Sequence, residues 1–340
     1  MPILYHLTSP PPPIPGTDAV FQDIEALRRE FGGACLQMYP LRRPSRFFPK
    51  QLYGLGRGRA LRQMEDAADA HHLFYATLYP FPWLRALKKP LIYTAAAGIG
   101  PSPVAGGWRP SIHTVVSCNP RDAAVLRAVP GLRARIIRPG IDTLKFRPEA
   151  LPLRGELILA VGSAPWTAAQ FRTKGIDLLL DAARTLPLRL VFLWRGLLAE
   201  TLERRVSGRG LGHRVEIINR AADVNRVLAG VHAAAVLAAG DRLVKAYPHS
   251  LLESLAAGKP VVLSDCIPMA DYVRETGCGT CVEALTAGAL RAALLRLMDR
   301  YGECQAAAEA RGRADFALGP MLQAYGEIYR EVAGARTGAP

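Results

Sequence analysis

The sequence predicts an α/β fold with two doubly wound, Rossmann-like domains that face a central cleft. The 340 residues, half of them hydrophobic, are enough to form two separate cores. Short apolar runs alternate with segments of helical periodicity, which is the pattern of parallel sheets covered by helices on both faces. This alternation begins at residues 3–7 and begins again at residues 157–162, after a linker at about 148–155. We therefore predict a first domain at residues 1–150 and a second domain at residues 151–315.

The individual elements follow from the apolar runs in chain order. In the first domain, strands are predicted at 3–7, 72–75, 91–94, 114–117 and 135–137, and helices at 18–31 and 121–129. In the second domain, strands are predicted at 157–162, 189–194, 215–218, 233–237, 260–263 and 281–282, with helices between them. A helical tail at 286–332 closes the chain. Facing loops at the carboxyl ends of two such sheets are expected to form the ligand-binding cleft.

The net charge of +14 is concentrated in the first half of the chain. Residues 1–148 hold 20 Lys and Arg against 9 Asp and Glu, whereas residues 149–340 hold 23 against 20. Within residues 39–62, seven basic side chains and no acidic one are interleaved with aromatic and aliphatic residues. This composition suits an anionic membrane surface, where each basic group contributes ~1 kcal/mol. A solvated basic loop is the equally weighted alternative. No zinc-finger, RNP or helix-turn-helix pattern accompanies the charge, so nucleic acid is not an expected partner.

Hydropathy and cysteine content indicate the compartment. No apolar run approaches the ~20 residues that cross a bilayer, and the first residues, MPILYHLTSPPPP, lack the layout of a signal peptide. Six scattered cysteines argue against a disulfide framework. The single CxxC pair, Cys278 and Cys281, is interpreted as small loop residues rather than a metal or redox site. We expect a cytoplasmic protein, peripheral on the inner membrane face if the basic segment binds lipid.

The segment 244–264, VKAYPHSLLESLAAGKPVVLS, predicts a helix start followed by a buried strand. Ser250 precedes an amphipathic run and Glu253 follows three residues later, as in a capping box. Gly258 ends the run, and a parallel strand follows. The backbone N–H groups at such a helix start, together with the helix dipole, favour an anion. We expect those N–H groups to come from His249, Ser250 and Leu251.

This segment resembles the nucleotide-sugar site of retaining GT-B glycosyltransferases of family 4, whose pattern is roughly E-G-F-G-L-S-x-x-E-A-x-A-x-G-x-P-V-V. A second stretch, ILAVGSAPWTAAQFRTKGIDLLLDAA, is similar to the family's I-L-x-V-G-R-(loop)-K-G-x-D-L-L-x-A-A. The turn at 138–142, RPGID, with Phe146, matches the family's P-N-G-I-D-x-x-x-F. The resemblance covers about Leu4 to Val332. It implies the GT-B architecture, with residues 316–340 forming a helix that packs back on the first domain.

The resemblance implies roles for residues of the second domain. Lys174 occupies the family's K-G position, whose lysine holds the donor diphosphate together with an arginine. Ser163 stands in the arginine's place, and Arg172 is a candidate to reach the same phosphate. Glu253 is the second acid of the family's E-x7-E motif and is implied to bind the donor ribose. Lys245 replaces the first acid. As a candidate catalytic residue it can donate to sugar hydroxyls, pair with a carboxylate on an acidic sugar, or replace the arginine at the phosphates.

The first domain matches the family less closely. Gly16 and Asp18 are similar to the family's first turn, a Gly-Gly pair followed by an acid. The resemblance implies that Gly16 lets the backbone approach the donor and that Asp18 is a catalytic candidate. Asp18 is equally well explained as a plain helix N-cap. His72 lies in a stretch that resembles the family's D-x-x-H-x-H strand end, in which Phe74 aligns with the second histidine. We name His72 as a catalytic candidate. A buried strand residue is the alternative.

The function implied by the resemblance is transfer of a sugar from a nucleotide-diphosphate sugar to an acceptor, with retention of anomeric configuration. No cofactor and no metal are implied, because basic residues and a helix dipole take the place of a metal. The basic first domain indicates a lipid-linked acceptor or an acidic glycan. The alternative is a degenerate, non-catalytic nucleotide-binding subunit of a glycan-assembly complex, which is favoured by Ser163, Lys245 and Phe74.

Overall fold

The structure is a computed structural model that describes residues 1–10, 14, 18–41, 48–99, 112–162, 164–194 and 197–337. The chain divides into two compact units. Unit 1 comprises Met1–Gly140 and Leu318–Pro340, and unit 2 comprises Ile141–Ala317. Each unit contains its own parallel sheet and its own core.

Unit 1 is built on a six-stranded parallel sheet. Its strands are β1 (Ile3–Leu7), β2 (Ala34–Gln37), β3 (Ala70–Tyr75), β4 (Leu91–Ala95), β5 (Ile112–Ser117) and β6 (Ala134–Ile136). Their order in the sheet is β2-β1-β3-β4-β5-β6. The helices of this unit are α1 (Ala19–Phe31), α2 (Gly58–Asp66), α3 (Pro120–Arg127) and the last helix of the chain, α12 (Leu318–Thr337).

Both faces of this sheet are covered. Ile3, Tyr5 and Phe74 lie on one face in a cluster that includes residues of α1 and α12. Leu4 and Leu73 lie on the opposite face in a cluster that includes α2 and the loops around residues 81–87. The alternation of neighbouring residues between the two faces follows from the period of two in a strand.

Unit 2 is built on a second six-stranded parallel sheet. Its strands are β7 (Leu157–Val161), β8 (Leu188–Leu193), β9 (Val215–Ile218), β10 (Ala233–Val236), β11 (Val261–Ser264) and β12 (Gly279–Val282). Its helices are α4 (Gln170–Thr173), α5 (Ile176–Thr185), α6 (Ala199–Ser207), α7 (Val224–Ala229), α8 (His249–Ala256), α9 (Met269–Thr276), α10 (Ala287–Asp299) and α11 (Tyr301–Asp315).

The strand order of unit 2, β12-β11-β10-β7-β8-β9, positions its site. From β7 the chain adds β8 and β9 on one side and then returns to add β10 on the other. The order therefore reverses between β7 and β10, which pair in parallel from Leu159 with Ala233 to Val161 with Ala235. A ligand crevice forms at the carboxyl ends of strands at such a reversal.

The predicted strands are confirmed with shifts of one or two residues at their ends, but two elements of unit 1 were missed. Strand β2 is only four residues long, which is too short for a hydrophobic period to stand out. Helix α2 has the sequence GRALRQMED, which is mostly polar and buries only Leu61 and Glu65, so no apolar run marks it in the sequence. No helix in the described ranges combines the length and hydropathy needed to span a bilayer.

Candidate functional site

The end of β7 and the start of α8 lie in direct contact. Gly162 follows β7, and a β-carbon placed on it would lie 2.6 Å from Cβ and 2.9 Å from Oγ of Ser250. Real Cβ atoms do not approach one another so closely. Glycine at position 162 is therefore what allows the first turn of α8 to sit against the carboxyl end of the sheet.

Helix α8 begins at His249, two residues earlier than the capping-box prediction placed it, since that prediction made Ser250 the N-cap. Pro248 is the N-cap residue, with φ −64° and ψ 127°, and no side chain caps this end. The fixed φ of proline suits this extended position, so Ser250 falls inside the helix and the predicted capping box with Glu253 is wrong. The carbonyl of Pro248 accepts from the N–H of Leu251 at 2.9 Å. The N–H of Leu251, which was predicted to face an anion, is thus engaged within the helix.

Lys174 is held at the same edge of the sheet. Its side chain is 6 % exposed, and its Nζ donates to the carbonyl of Ala164 at 3.2 Å. The carbonyl of Thr173, the preceding residue, accepts from the N–H of Ala239 at 2.7 Å. The end of α4 is therefore joined to the loop after β10 directly before the buried Lys174.

Gly175 completes this turn. It has a positive φ of 64°, which favours glycine. A β-carbon there would lie 2.7 Å from Cβ of Leu237. Glycine is therefore needed at position 175, because a residue with a side chain would push the turn after Lys174 away from the end of β10.

Lys245 and His249 are in contact at the start of α8. Nζ of Lys245 lies 3.1 Å from Nε2 of His249. Since an ammonium can only donate, the histidine nitrogen accepts. His249 is 7 % exposed, and Lys245 is partly exposed. Two of the predicted site residues are thus brought together at the positive end of a helix.

Two further predicted donor residues lie nearby in the chain. Arg172 is the third residue of α4 and its side chain is exposed. Glu253 lies in the second turn of α8 and is partly buried. Ser163, between Gly162 and Ala164, is outside the described residues. Roles for Arg172 and Glu253 in donor binding stay predictions.

His72 is a core residue, as in the alternative predicted for it, and its catalytic role stays a prediction. It is 0 % exposed in the middle of β3. Its Nδ1 is 2.7 Å from the hydroxyl of Tyr329 and its Nε2 is 2.8 Å from the hydroxyl of Thr94. Burial lowers the pKa of His72 to about 3, so the ring is neutral. A side chain with both nitrogens bonded inside the core has a structural role. Phe74, two residues on, is also buried.

Asp18 is the N-cap of α1. Its Oδ1 accepts from the N–H of Phe21 at 2.8 Å, which is the capping alternative predicted for it. Gly16 lies outside the described residues. A catalytic contribution from Asp18 stays a prediction.

The described part of the chain holds no group of three or more His, Cys, Asp or Glu side chains arranged for a metal ion. Of the CxxC pair, Cys278 is buried, and burial raises the pKa of its thiol to about 11. A thiol in this state is a weak nucleophile and a weak metal ligand.

Sequence reasoning missed two features of the site. The close approach of Gly162 was not foreseen, although a glycine directly after a buried strand is a signal for it. The side chain of His249 was also overlooked, since only its backbone N–H was considered. The spacing of four residues between Lys245 and His249 was the available sign that the two side chains meet.

Comparison with known proteins bears on the family and the fold of the chain. Residues 147–314 match the family model described as Glycosyl transferases group 1. No curated protein sequence matches the chain. The similarity to solved structures extends over both units, as the following three show.

Sucrose-phosphate synthase from Thermosynechococcus elongatus superposes with a TM-score of 0.74 at 17 % identity, covering 98 % of this chain and 100 % of that one. A glycosyltransferase from Rickettsia africae superposes with a TM-score of 0.68 at 12 % identity, covering 97 % of this chain and 98 % of that one. The Anabaena protein HepE, solved in complex with UDP and glucose, superposes with a TM-score of 0.69 at 15 % identity, covering 97 % of this chain and 100 % of that one. At these identities the similarity establishes the fold. The predicted GT-B architecture with two Rossmann-like domains is confirmed.

Proposed function

We propose that this chain, whose residues 147–314 match the group 1 glycosyl transferases, is a glycosyltransferase that takes its sugar from a nucleotide-diphosphate sugar. One observation carries the proposal. Gly162, Lys174 and the start of α8 meet at the carboxyl edge of unit 2, at the point where the strand order reverses. Close backbone approach, a buried cation and a helix start are the features that bind a phosphate group. The structure of HepE with UDP and glucose supports the same class of donor.

Each of these residues makes a different contact with the donor. The Lys174 ammonium neutralises the diphosphate, and the N–H groups at positions 249 and 250 add the field of the helix. The carboxylate of Glu253 accepts hydrogen bonds from the ribose hydroxyls. In the reaction the bond from the anomeric carbon to the phosphate oxygen breaks with its electron pair going to the diphosphate. The acceptor hydroxyl attacks from the same face and its proton passes to the departing phosphate oxygen, so the configuration is retained. Stabilisation of the leaving diphosphate by these groups replaces a metal ion.

The acceptor in this proposal is a lipid-linked or acidic glycan met at an anionic membrane surface. The segment 39–62 supports it in the part that the structure describes. Leu41, Leu52 and Leu55 are exposed by 39 %, 41 % and 62 %, and Lys50, Arg59 and Arg62 are exposed as well. Apolar side chains interspersed with basic ones suit insertion at the headgroup level of an anionic bilayer. Arg42, Arg43 and Arg46 of this segment lie outside the described residues.

A second function, nucleotide binding without turnover, is favoured by one specific observation. His72 is enclosed in the core and Lys245 stands where the family has its first acid, so neither side chain matches the catalytic group that the family has there.

Incubation of the purified protein with a panel of nucleotide sugars in EDTA, with and without a glycolipid extract, separates the two functions. Acceptor-dependent release of nucleoside diphosphate supports the enzyme. Binding of a donor without release supports the binding subunit. Absence of both refutes the proposed function.

A further inference from the structure

Residues 148–153, which precede β7, lie at the amino end of the sheet in unit 2 and cover a lysine. We propose that these residues form a strap over Lys259, and that the buried charge of Lys259 makes the strap open reversibly. The strap is a conformational device that is independent of the proposed function, because it lies at the opposite end of the sheet from Gly162.

Two side chains of unit 2 hold the strap by its carbonyl groups. The hydroxyl of Tyr301, the first residue of α11, donates to the carbonyl of Leu151 at 3.1 Å. Nε2 of His232 donates to the carbonyl of Pro152 at 3.3 Å, while its Nδ1 accepts from the N–H of Ile158 at 2.9 Å. A ring that donates through one nitrogen and accepts through the other is neutral.

Lys259 lies beneath the strap. It is 0 % exposed, and in the part of the chain that the structure describes its Nζ has no hydrogen-bond partner. The preceding residue, Gly258, is close to the strap, since a β-carbon placed on it would lie 3.3 Å from Cβ of Pro148. Glu149 is exposed on the strap, and its carboxylate attracts the ammonium from a distance.

The charge of Lys259 works against the closed strap. An ammonium buried without a partner has lost its hydration and gained no hydrogen bond in return. Opening the strap lets water reach the ammonium and gives up only the hydrogen bonds from Tyr301 and His232, which join neutral groups and are individually weak. The strap follows closely after Ile141, the first residue of unit 2, so its opening frees the entry of the chain into this unit.

The pH dependence of the opening has a defined sign. The titratable groups around Lys259 are Glu149 and Glu156 before β7, His232 before β10, and Tyr301 and Glu309 of α11. Burial raises the pKa of Tyr301 to about 12 and lowers that of His232, so both are neutral between pH 7 and pH 10. Burial also lowers the pKa of Lys259 from 10.5, and Glu149 opposes that shift in part. The open form therefore binds a proton more readily than the closed form, and opening increases as the pH falls.

Limited proteolysis of the full chain tests the proposal. Arg154 is exposed directly after the strap, and trypsin cleaves after it when the residues around it open locally. The cleavage rate at Arg154, divided by that of a reference peptide at the same pH, therefore follows the open population. The proteins are the wild type, Lys259→Met, Tyr301→Phe and the control Lys88→Met, which replaces an exposed lysine of unit 1.

Lys259→Met is expected to slow cleavage at Arg154 about tenfold, because methionine occupies the site without a charge. Tyr301→Phe removes one hydrogen bond of the strap and should accelerate cleavage about fivefold. In the wild type the normalised rate should rise as the pH is lowered from 10 to 7, and Lys259→Met should lose this dependence. Lys88→Met should behave as the wild type does in both measurements.

Equal or faster cleavage in Lys259→Met than in the wild type would overturn the proposal, because Lys259 would then stabilise the closed strap. Unchanged cleavage in Tyr301→Phe would also overturn it, since the hydroxyl would not hold Leu151. Circular dichroism checks the folding of each variant. If Lys259→Met does not fold, the wild type decides alone, and a normalised rate that does not rise towards pH 7 overturns the proposal.

Discussion

Gly162, at the end of β7, packs directly against Ser250 in the first turn of α8. The space between them does not admit a β-carbon, since an atom added to Gly162 would lie 2.6 Å from Cβ of Ser250. Because the Cβ of Ser250 is fixed to the backbone, α8 itself must move to make room. The position of the start of α8 therefore depends on residue 162 being glycine, which has no β-carbon.

Gly162→Ala is expected to displace the first turn of α8 and to weaken nucleotide binding by more than about tenfold. The free energy of unfolding should fall by about 1–3 kcal/mol, as for overpacking in a core. Calorimetric titration and chemical denaturation measure the two effects. Gly212→Ala is the control, because Gly212 is exposed and a β-carbon there meets nothing within 4 Å. Unchanged nucleotide affinity in Gly162→Ala would show that the helix start does not bind the donor.

Lys174→Met is expected to reduce affinity for the donor diphosphate by about tenfold or more, because a buried cation interacts with an anion more strongly than an exposed one. Glu253→Ala should cause a smaller loss, limited to ligands that carry a ribose. Calorimetric titration with a nucleoside diphosphate and with pyrophosphate separates the effects of the two substitutions, because pyrophosphate carries no ribose. Lys145→Met, at an exposed lysine, should bind both ligands as the wild type does. Wild-type affinity in both site variants would remove the assignment of this edge as the donor site.

The stability of unit 1 is expected to fall as the pH is lowered. Burial lowers the pKa of His72 from 6.5 to about 3, and it lowers those of His6 and His71 as well. Above pH 6.5 these rings are neutral in both states. Between pH 6.5 and 3 the unfolded chain binds protons that the folded chain does not, so folding loses stability. From pH 6.5 to pH 5 the loss from His72 is about 2 kcal/mol.

Chemical denaturation at several pH values, with hydrogen exchange to identify the unit 1 transition, measures this slope. His72→Gln should flatten it, because glutamine does not titrate. His213→Gln should leave it unchanged, since His213 is exposed in unit 2. An unaltered slope in His72→Gln would mean that His72 is not buried as a neutral ring.

Reversal of the charges at Arg42, Arg43 and Arg46 to Glu is expected to weaken binding to vesicles that contain anionic lipid by more than about tenfold, at ~1 kcal/mol for each basic group lost near the surface. Co-sedimentation with vesicles measures the fraction of protein that is bound. The control reverses three exposed arginines of unit 2: Arg184, Arg220 and Arg291. If both variants lose binding equally, the effect comes from net charge and the segment is not a membrane contact.

The sheets were predictable from the sequence because buried parallel strands consist of uninterrupted apolar runs, such as Leu157–Val161. The short edge strand β2 and the polar helix α2 were not, since they depend on what packs against them. The start of α8 was placed two residues late because Ser250, rather than Pro248, was taken as the N-cap. The backbone geometry that proline imposes decided the outcome.

The site was predictable where a local pattern determines it and not where distant residues meet. The Lys-Gly pair at 174 and 175 was recognised from its neighbours in the chain. The role of His72 depends on Tyr329, which is 257 residues away, and on Thr94 in the next strand. Nothing near His72 in the sequence indicates that both of its nitrogens are bonded.

The most direct test of the donor site is a thermal-shift measurement of the wild-type protein against nucleotide sugars and nucleoside diphosphates in EDTA. A ligand at ~100 times its dissociation constant should stabilise the protein by ~2.7 kcal/mol, which shifts the melting temperature visibly. We expect one nucleotide series to stabilise the protein, and Lys174→Met to lose that shift. No shift with any nucleotide, or an equal shift in Lys174→Met, would contradict the account.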